Sequence, residues 1–300
     1  MLDFRVETFL AVCRHMNFTK AARELNITQP AVSHHIHYLE QAYGTALFQH
    51  NGKRLQLTEA GEILRRTLLT MKHDEQHLQK RMQQAASGTR DYSFGATLSV
   101  AEFMINEALG RFLQLHPDSH IRMQVADTKV LLSKLDSGEL DFAVVEGDFP
   151  KAEYDFFVFG TEEYVAAGDP EKAARYRGRR LTDLLVEPLL LREEGSGTRV
   201  ILEYYLKEHG LAAADFARTV EIGNIGAIKT LLKSGYGVSF LYRAAIRPEE
   251  AAGTLGVIEL SDFRLRHDIM FLFPKNSNFR ADYTAIFHEL RACAEETGSA

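Results

Sequence analysis

The chain has 300 residues, 45% of them hydrophobic and 25% charged, with a formal net charge of -6. That length accommodates about two ordinary globular domains, and no stretch approaches the ~20 consecutive apolar residues that a membrane span needs. The only cysteines, Cys13 and Cys293, lie near opposite ends, and the opening MLDFRVETF lacks the charged-then-apolar layout of a secretion signal. The expected setting is therefore a reducing cytoplasm, with no disulfide framework. The charge is unevenly divided. Residues 1–90 hold 12 Lys+Arg against 8 Asp+Glu, a balance of +4, and 7 of the 12 histidines; residues 91–300 hold 23 against 33, a balance of -10. A local positive field on an acidic chain points to a nucleic-acid module at the amino-terminal end and a remainder that stays off the duplex.

In chain order, Asp3 to Met16 predicts a helix with Val6, Phe9, Leu10 and Cys13 along one side, Cys13 serving as a small core residue. Asn17 to Leu39 (NFTKAARELNITQPAVSHHIHYL) then reads as two short helices around a tight turn at Asn26-Ile27. Thr19 is placed to cap the first helix and Thr28 the second. Pro30 falls in an opening turn, where its missing N–H costs little. Ala21, Ala22 and Leu25 make a small apolar face that lets the second helix cross closely. Val32, Ile36, Leu39 and Tyr43 recur at helical spacing and are expected inward, and Gly44 is a natural stop. Gln29, Pro30, Ser33, His34 and His37 occupy the opposite face, which a core would not want. A helix with a buried stripe and a hydrogen-bonding outer face fits the major groove of DNA. The alternative is an ordinary helical hairpin on a larger domain. The downstream residues favour DNA: Leu47 and Phe48, the basic turn Asn51-Gly52-Lys53-Arg54, then Leu55 and Leu57. These make a wing of two short strands, with cations at its tip for phosphate.

Phe9, Phe18, Ala21-Ala22, Leu25, Thr28-Gln29-Pro30-Ala31-Val32-Ser33, Ile36, Leu39-Glu40, Leu47-Phe48 and Leu57-Thr58-Glu59-Ala60-Gly61 form a dense, collinear set. In this set the chain resembles the amino-terminal region of LysR-type transcriptional regulators, and its length and the order of later segments extend the resemblance over essentially the whole chain. The fold class so implied is an α+β multidomain protein: a winged helix-turn-helix (residues 1–58), a linker and dimerisation helix (59–87) and an effector domain (91–300). Family members often carry Arg or Lys where this chain has His34, His37 and His50. Gln29, Pro30, Ser33 and His34 are expected at base edges, with His37 on the same face, and the cap Thr28 with Lys53 and Arg54 at phosphates.

Thr58 opens a long helical run to about Ala86, where Leu64, Leu68, Met71, Leu78 and Met82 fall on alternating steps of four and three, broken only at Glu75. That is a coiled-coil seam, which over roughly 40 Å would pair two copies; packing on its own domain is the other possibility. Ser87 to Asp91 reads as a hinge. Beyond it strands and helices alternate, as in a mostly parallel α/β sheet. Strands are expected at 92–97, 121–126, 142–145, 156–159, 163–167, 188–191, 219–221, 238–241 and 269–273, and helices at 102–115, 129–137, 198–209, 225–234 and 281–295. Two α/β lobes joined by two crossings make a hinged cleft, as in periplasmic solute-binding proteins, with one lobe at about 91–160 and 268–300 and the other at about 161–267.

Ligands of such sheets sit beyond the carboxyl ends of strands, near helix amino termini. Three junctions carry suitable residues: Thr97, Ser99 and Val100; Arg192, Ser196 and Thr198; and Asn224. Glu146 ends another strand and could line the same cleft. Each Thr, Ser or Asn has a second explanation, since these are also the best helix caps; agreement with the family favours the ligand role for Thr97, Ser99, Ser196 and Thr198. Amide-rich helix starts favour an anion or carboxylate, while Glu146 pulls toward an amine, hydroxyl or neutral ligand. The phrase around Arg192 and Gly195 to Arg199 looks most like family members that sense metabolic anions in sulfur or carbon assimilation.

No catalytic motif is present. Gly195-Ser196-Gly197 is preceded by Glu194 and does not complete G-x-S-x-G, and there is neither a P-loop nor a C-x-x-C. The pairs His34/His37 and His73/His77 lack a third ligand and are expected as solvated surface histidines, so no metal, cofactor or enzyme activity is expected. The expected function is a DNA-binding regulator controlled by a small metabolite, acting as a homodimer or homotetramer on double-stranded DNA, without a membrane partner; the resemblance implies that it also recruits RNA polymerase. The rival is a plain solute-binding protein, which would need export and no DNA module.

Overall fold

The computed structural model describes residues 3–52 and 54–297. Three helices open the chain: α1 (Phe4–His15), α2 (Phe18–Glu24) and α3 (Gln29–Tyr43). Two short strands come next, β1 (Phe48–Asn51) and β2 (Arg54–Leu57), antiparallel about Gly52 at φ 62. Lys53, expected at the wing tip, lies outside the described residues. Phe9, Leu10, Val12, Ala21, Val32, Ile36, Leu39 and Leu47 close one core. The Glu40 carboxylate fixes the entry to the wing by accepting from the Leu47 amide at 2.8 Å.

Two local expectations are corrected. The cap of α2 is Asn17, whose side chain accepts from the Lys20 amide; Thr19 falls inside the helix. The chain leaves α1 through Met16 in the left-handed region (φ 44), so the extended cap position comes two residues early. Tyr43, expected inward, is 57% exposed, because the core closes at Leu39 and Leu47 and α3 outruns it by a turn before Gly44 ends it at φ 69.

The long helix α4 (Glu59–Ser87) is capped by Thr58, whose hydroxyl accepts from the Gly61 amide at 3.0 Å. A side chain at Gly61 would meet the Leu47 carbonyl at 2.1 Å and Leu57 at 2.8 Å, so only glycine allows this approach. The expected seam is divided. Leu64 and Leu68 complete the winged-helix core, while Met71, Leu78 and Met82 stay exposed. His73 and His77, expected in solvent, are buried, because the opposite side of α4 lies on the second domain. His73 Nε2 sits 2.9 Å from the Leu140 carbonyl, and Asp74 accepts from Ser277 Oγ and from the Asn278 amide. His77 lies between Asp141 and Asp282, 3.4 Å from each, and Lys80 reaches Asp141 at 2.8 Å.

The remaining elements are β3 (Arg90–Ala96), α5 (Leu98–Phe103), α6 (Asn106–Leu115), β4 (Ser119–Val125), α7 (Thr128–Ser137), β5 (Phe142–Val145), β6 (Tyr154–Gly168), α8 (Pro170–Arg175), β7 (Pro188–Leu191), α9 (Gly197–Glu208), β8 (Arg218–Glu221), α10 (Ile225–Lys233), β9 (Val238–Tyr242), α11 (Arg247–Ala251), β10 (Gly256–Ile258), β11 (Leu265–Pro274) and α12 (Arg280–Thr297). Among the described residues they build one sheet in the order β4-β3-β5-β11-β6-β9-β7-β8, with β10 on β6. Parallel trios stand at the two ends, β4-β3-β5 and β9-β7-β8. The antiparallel pair β6/β11 runs between them and makes the two crossings. The strands expected at 156–159 and 163–167 are thus one strand of 15 residues, which bends past an irregularity at Ile269/Met270 of its partner without ending. The helix expected at 102–115 is two, because Met104 and Ile105 turn into the core between α5 and α6.

Candidate functional site

The outer face of α3 is built by its cap and its stripe. Thr28 caps the helix, its hydroxyl 3.4 Å from the Ala31 amide, and Pro30 occupies the opening turn. Val32, Ile36 and Leu39 anchor the inner side. Gln29, Pro30, His34 and His37 are exposed and Ser33 half-buried beside them. Gln29 donates to Ser33 Oγ at 2.9 Å, and Gln41 lies 2.9 Å from His37 Nε2, so both pairs exchange partners within the helix. His35 is on the other side, 2.9 Å from Thr8 Oγ1 and edge-on to Phe4, and burial lowers its pKa. Arg54 and His50 are exposed on the wing.

The second candidate lies where the two parallel trios face each other. Thr97, Ser99, Glu146, Arg192, Ser196 and Thr198 are all buried. Thr97 and Ser196 occupy the cap positions of α5 and α9, yet neither side chain makes a capping bond. Asn224 does cap α10, accepting from the Ala227 amide at 2.8 Å, and is exposed, so capping accounts for it. Val100 packs in the hydrophobic core. Ser196 and Thr198 hydroxyls bond each other at 2.9 Å, and the Thr198 carbonyl accepts from the Tyr164 hydroxyl at 2.8 Å.

Among the described residues, Thr97 Oγ1, Ser99 Oγ, Glu146 Oε2, Arg192 Nη1 and Tyr242 OH are buried without a hydrogen-bond partner, as is His267 Nδ1. Leaving such groups dry costs about 1–3 kcal/mol each. Five of them meet across the strand ends. Thr97 follows β3 beside β5, its amide bonded to the Val144 carbonyl at 3.3 Å, and Glu146 follows β5. Glu146 Oε1 packs on Gly197, the first residue of the facing helix α9, where a side chain would meet it at 3.3 Å. Burial pushes the Glu146 carboxyl up to about 7 against the pull of its own amide, Arg192 and Ser99. Tyr242 ends β9, feels the Glu146 charge and lies edge-on to Tyr164, with the His267 ring 6.5 Å away. Sequence reasoning missed Tyr242 and His267; a tyrosine ending the apolar run Val238 to Leu241 reads as core, and only the strand pairing brings it to Glu146.

Among the described residues no helix is long and apolar enough to cross a membrane, and no group of three His, Cys, Asp or Glu is placed to hold a metal.

Residues 5–62 match the bacterial regulatory helix-turn-helix protein, lysR family, and residues 86–293 the LysR substrate binding domain. The chain belongs to the LysR family of transcriptional regulators, with an amino-terminal DNA-binding domain and a carboxyl-terminal effector-binding domain. It is 28% identical to the RuBisCO operon transcriptional regulator of Acidithiobacillus ferrooxidans, over 97% of this chain and 94% of that one. It is 30% identical to the HTH-type transcriptional regulator CfxR of Cupriavidus necator, over 86% and 80%. Full-length LysG from Corynebacterium glutamicum, solved with bound effector Arg, shares the fold with a TM-score of 0.61 over 99% of both chains at 18% identity.

Proposed function

We propose that this regulator works in the cytoplasm as a dimer or tetramer, reads bases through Gln29, Pro30, Ser33 and His34, and responds to a small metabolic anion, a carboxylate foremost, in the cleft. Thr28, Arg54 and Lys53 hold phosphates, and His37 borders the groove. The exposed remainder of the α4 seam pairs two copies, which sets the spacing of half-sites. Effector binding changes the arrangement of subunits and with it DNA bending and RNA polymerase recruitment. That step requires the effector to bind one arrangement more tightly than the other.

The observation that carries the effector reading is the meeting of five buried, unpartnered polar atoms at the strand ends, four of them on donors: Thr97, Ser99, Arg192 and Tyr242. A ligand rich in acceptors satisfies that set. The likeness to a RuBisCO operon regulator supports an effector drawn from carbon assimilation. Thermal-shift screening of the full chain against central-metabolism anions and amino acids tests it. A small anion is expected to raise Tm, and Thr198→Val to weaken the response about tenfold, the worth of one hydrogen bond in a dry site. An unaltered response in Thr198→Val would remove that residue from the site.

A further inference from the structure

The guanidinium of the cleft is already committed. Arg192 turns Nε and Nη2 onto the Glu193 carboxylate, both at 2.7 Å, and only Nη1 is left facing inward. Asp127, at the start of α7, is close by; a side chain at Gly195 would meet its carboxylate at 3.6 Å. An ionised Glu146 would therefore confront any anion with a buried negative charge that Arg192, already paired with Glu193, offsets only in part. The geometry shows which oxygen matters. Oε1 is packed against Gly197, while Oε2 is the buried oxygen without a partner. Ser99, Arg192 and Tyr242 all act on this carboxyl, and each of them, like Thr97 at the end of β3, has a hydrogen to give. A carboxylate among them would be an acceptor competing with the ligand. A carboxylic acid would be a fifth donor.

Resting on the anion reading of the cleft, we infer that Glu146 is the residue that selects for anions, by binding them in its protonated form with the Oε2 hydroxyl donating to the ligand. Above about pH 7 each anion then enters with a proton, which cancels one of its negative charges in the buried cleft. Burial supports this, since it holds the free carboxyl at about 7, well above the ordinary value of 4.5. The groups facing it are Arg192, Asp127, Tyr242 and Ser99, and of these only Asp127 adds negative charge at neutral pH.

The test is isothermal titration calorimetry on the full chain with inorganic sulfate, glycolate and oxalate, which keep their charge down to about pH 5.5. Pairs of buffers with unlike protonation enthalpies report proton uptake. The expected result is uptake close to one proton per anion at about pH 8 and close to none at about pH 5.5, with affinity falling about tenfold per pH unit above 7. Glu146→Gln, whose amide also donates, is expected to bind with no uptake and a flat pH profile. Binding without uptake in the wild type, or uptake that persists in Glu146→Gln and so belongs to His267 or another group, overturns the inference and leaves the anion reading intact. Failure of all three anions, with amines binding in their place, overturns the anion reading and this inference with it.

Discussion

Histidine stands on the exposed side of α3 and on the wing, the surface proposed for DNA, where a permanent cation would serve. His34, His37 and His50 are exposed, and a histidine ring meets phosphate as a cation only when it carries a second proton. DNA affinity is accordingly expected to rise on acidification, because phosphate favours the protonated ring. A duplex-binding series from mildly alkaline to mildly acidic pH at fixed salt checks it, and flat affinity in protein that stays folded would refute it. Glu146 gives a second expectation with a definite sign. Its folded pKa is raised, so its contribution to stability is present below the unfolded value and lost as pH rises through about 7. Glu146→Gln should therefore leave Tm nearly unchanged at about pH 5 and raise it at about pH 8, read by thermal denaturation without ligand.

At the scale of elements, the junction of wing and α4 depends on an atom that is absent. The Leu47 carbonyl lies where a Cβ on residue 61 would be. Gly61→Ala is expected to cost about 1–3 kcal/mol or more, since backbone must shift, and to lower DNA binding with the fold of that domain. Chemical denaturation followed by wing-dependent DNA binding measures it. The interface of α4 with the effector domain has its own pH sign. His73 donates from Nε2 to the Leu140 carbonyl, which leaves Nδ1 to accept from the Tyr283 hydroxyl at 3.4 Å, so the ring is held neutral and burial lowers its pKa to about 4. A depressed histidine loses stability as pH falls below its unfolded value of 6.5, and the contact should loosen progressively from there toward pH 4. Hydrogen exchange along residues 70–82 at several pH values tracks the loosening; protection that does not fall toward pH 4 would contradict it.

For the whole molecule, α4 is the element that joins the parts. One flank completes the DNA-binding core through Leu64 and Leu68, the other locks onto the effector domain through His73, Asp74, His77 and Lys80, and Met71, Leu78 and Met82 stay exposed, the surface proposed for a second copy. Replacing Leu78 and Met82 with Glu is expected to shift the protein toward monomer and to weaken binding to a two-half-site duplex far more than to a single half-site. Sedimentation velocity and paired binding assays check both; an unchanged assembly would place the interface elsewhere.

Periodicity and caps were enough for α3, the wing and the alternation of strands and helices, because these rest on local sterics and on which side of each element is apolar. The polar face of α3 was readable for the same reason: Gln29, Ser33 and His34 oppose Val32 and Ile36 on one helix. No pattern along the chain could decide which polar residue caps and which is left orphaned. Thr97, Ser196 and Asn224 look alike in sequence, yet only Asn224 makes its capping bond. Nor could the chain alone bring Tyr242 to Glu146, or turn His73 and His77 from solvent into an interface. Those outcomes depend on strands and helices far apart in sequence meeting in space, and burial, which sets both hydrogen bonding and protonation, exists only once they have met.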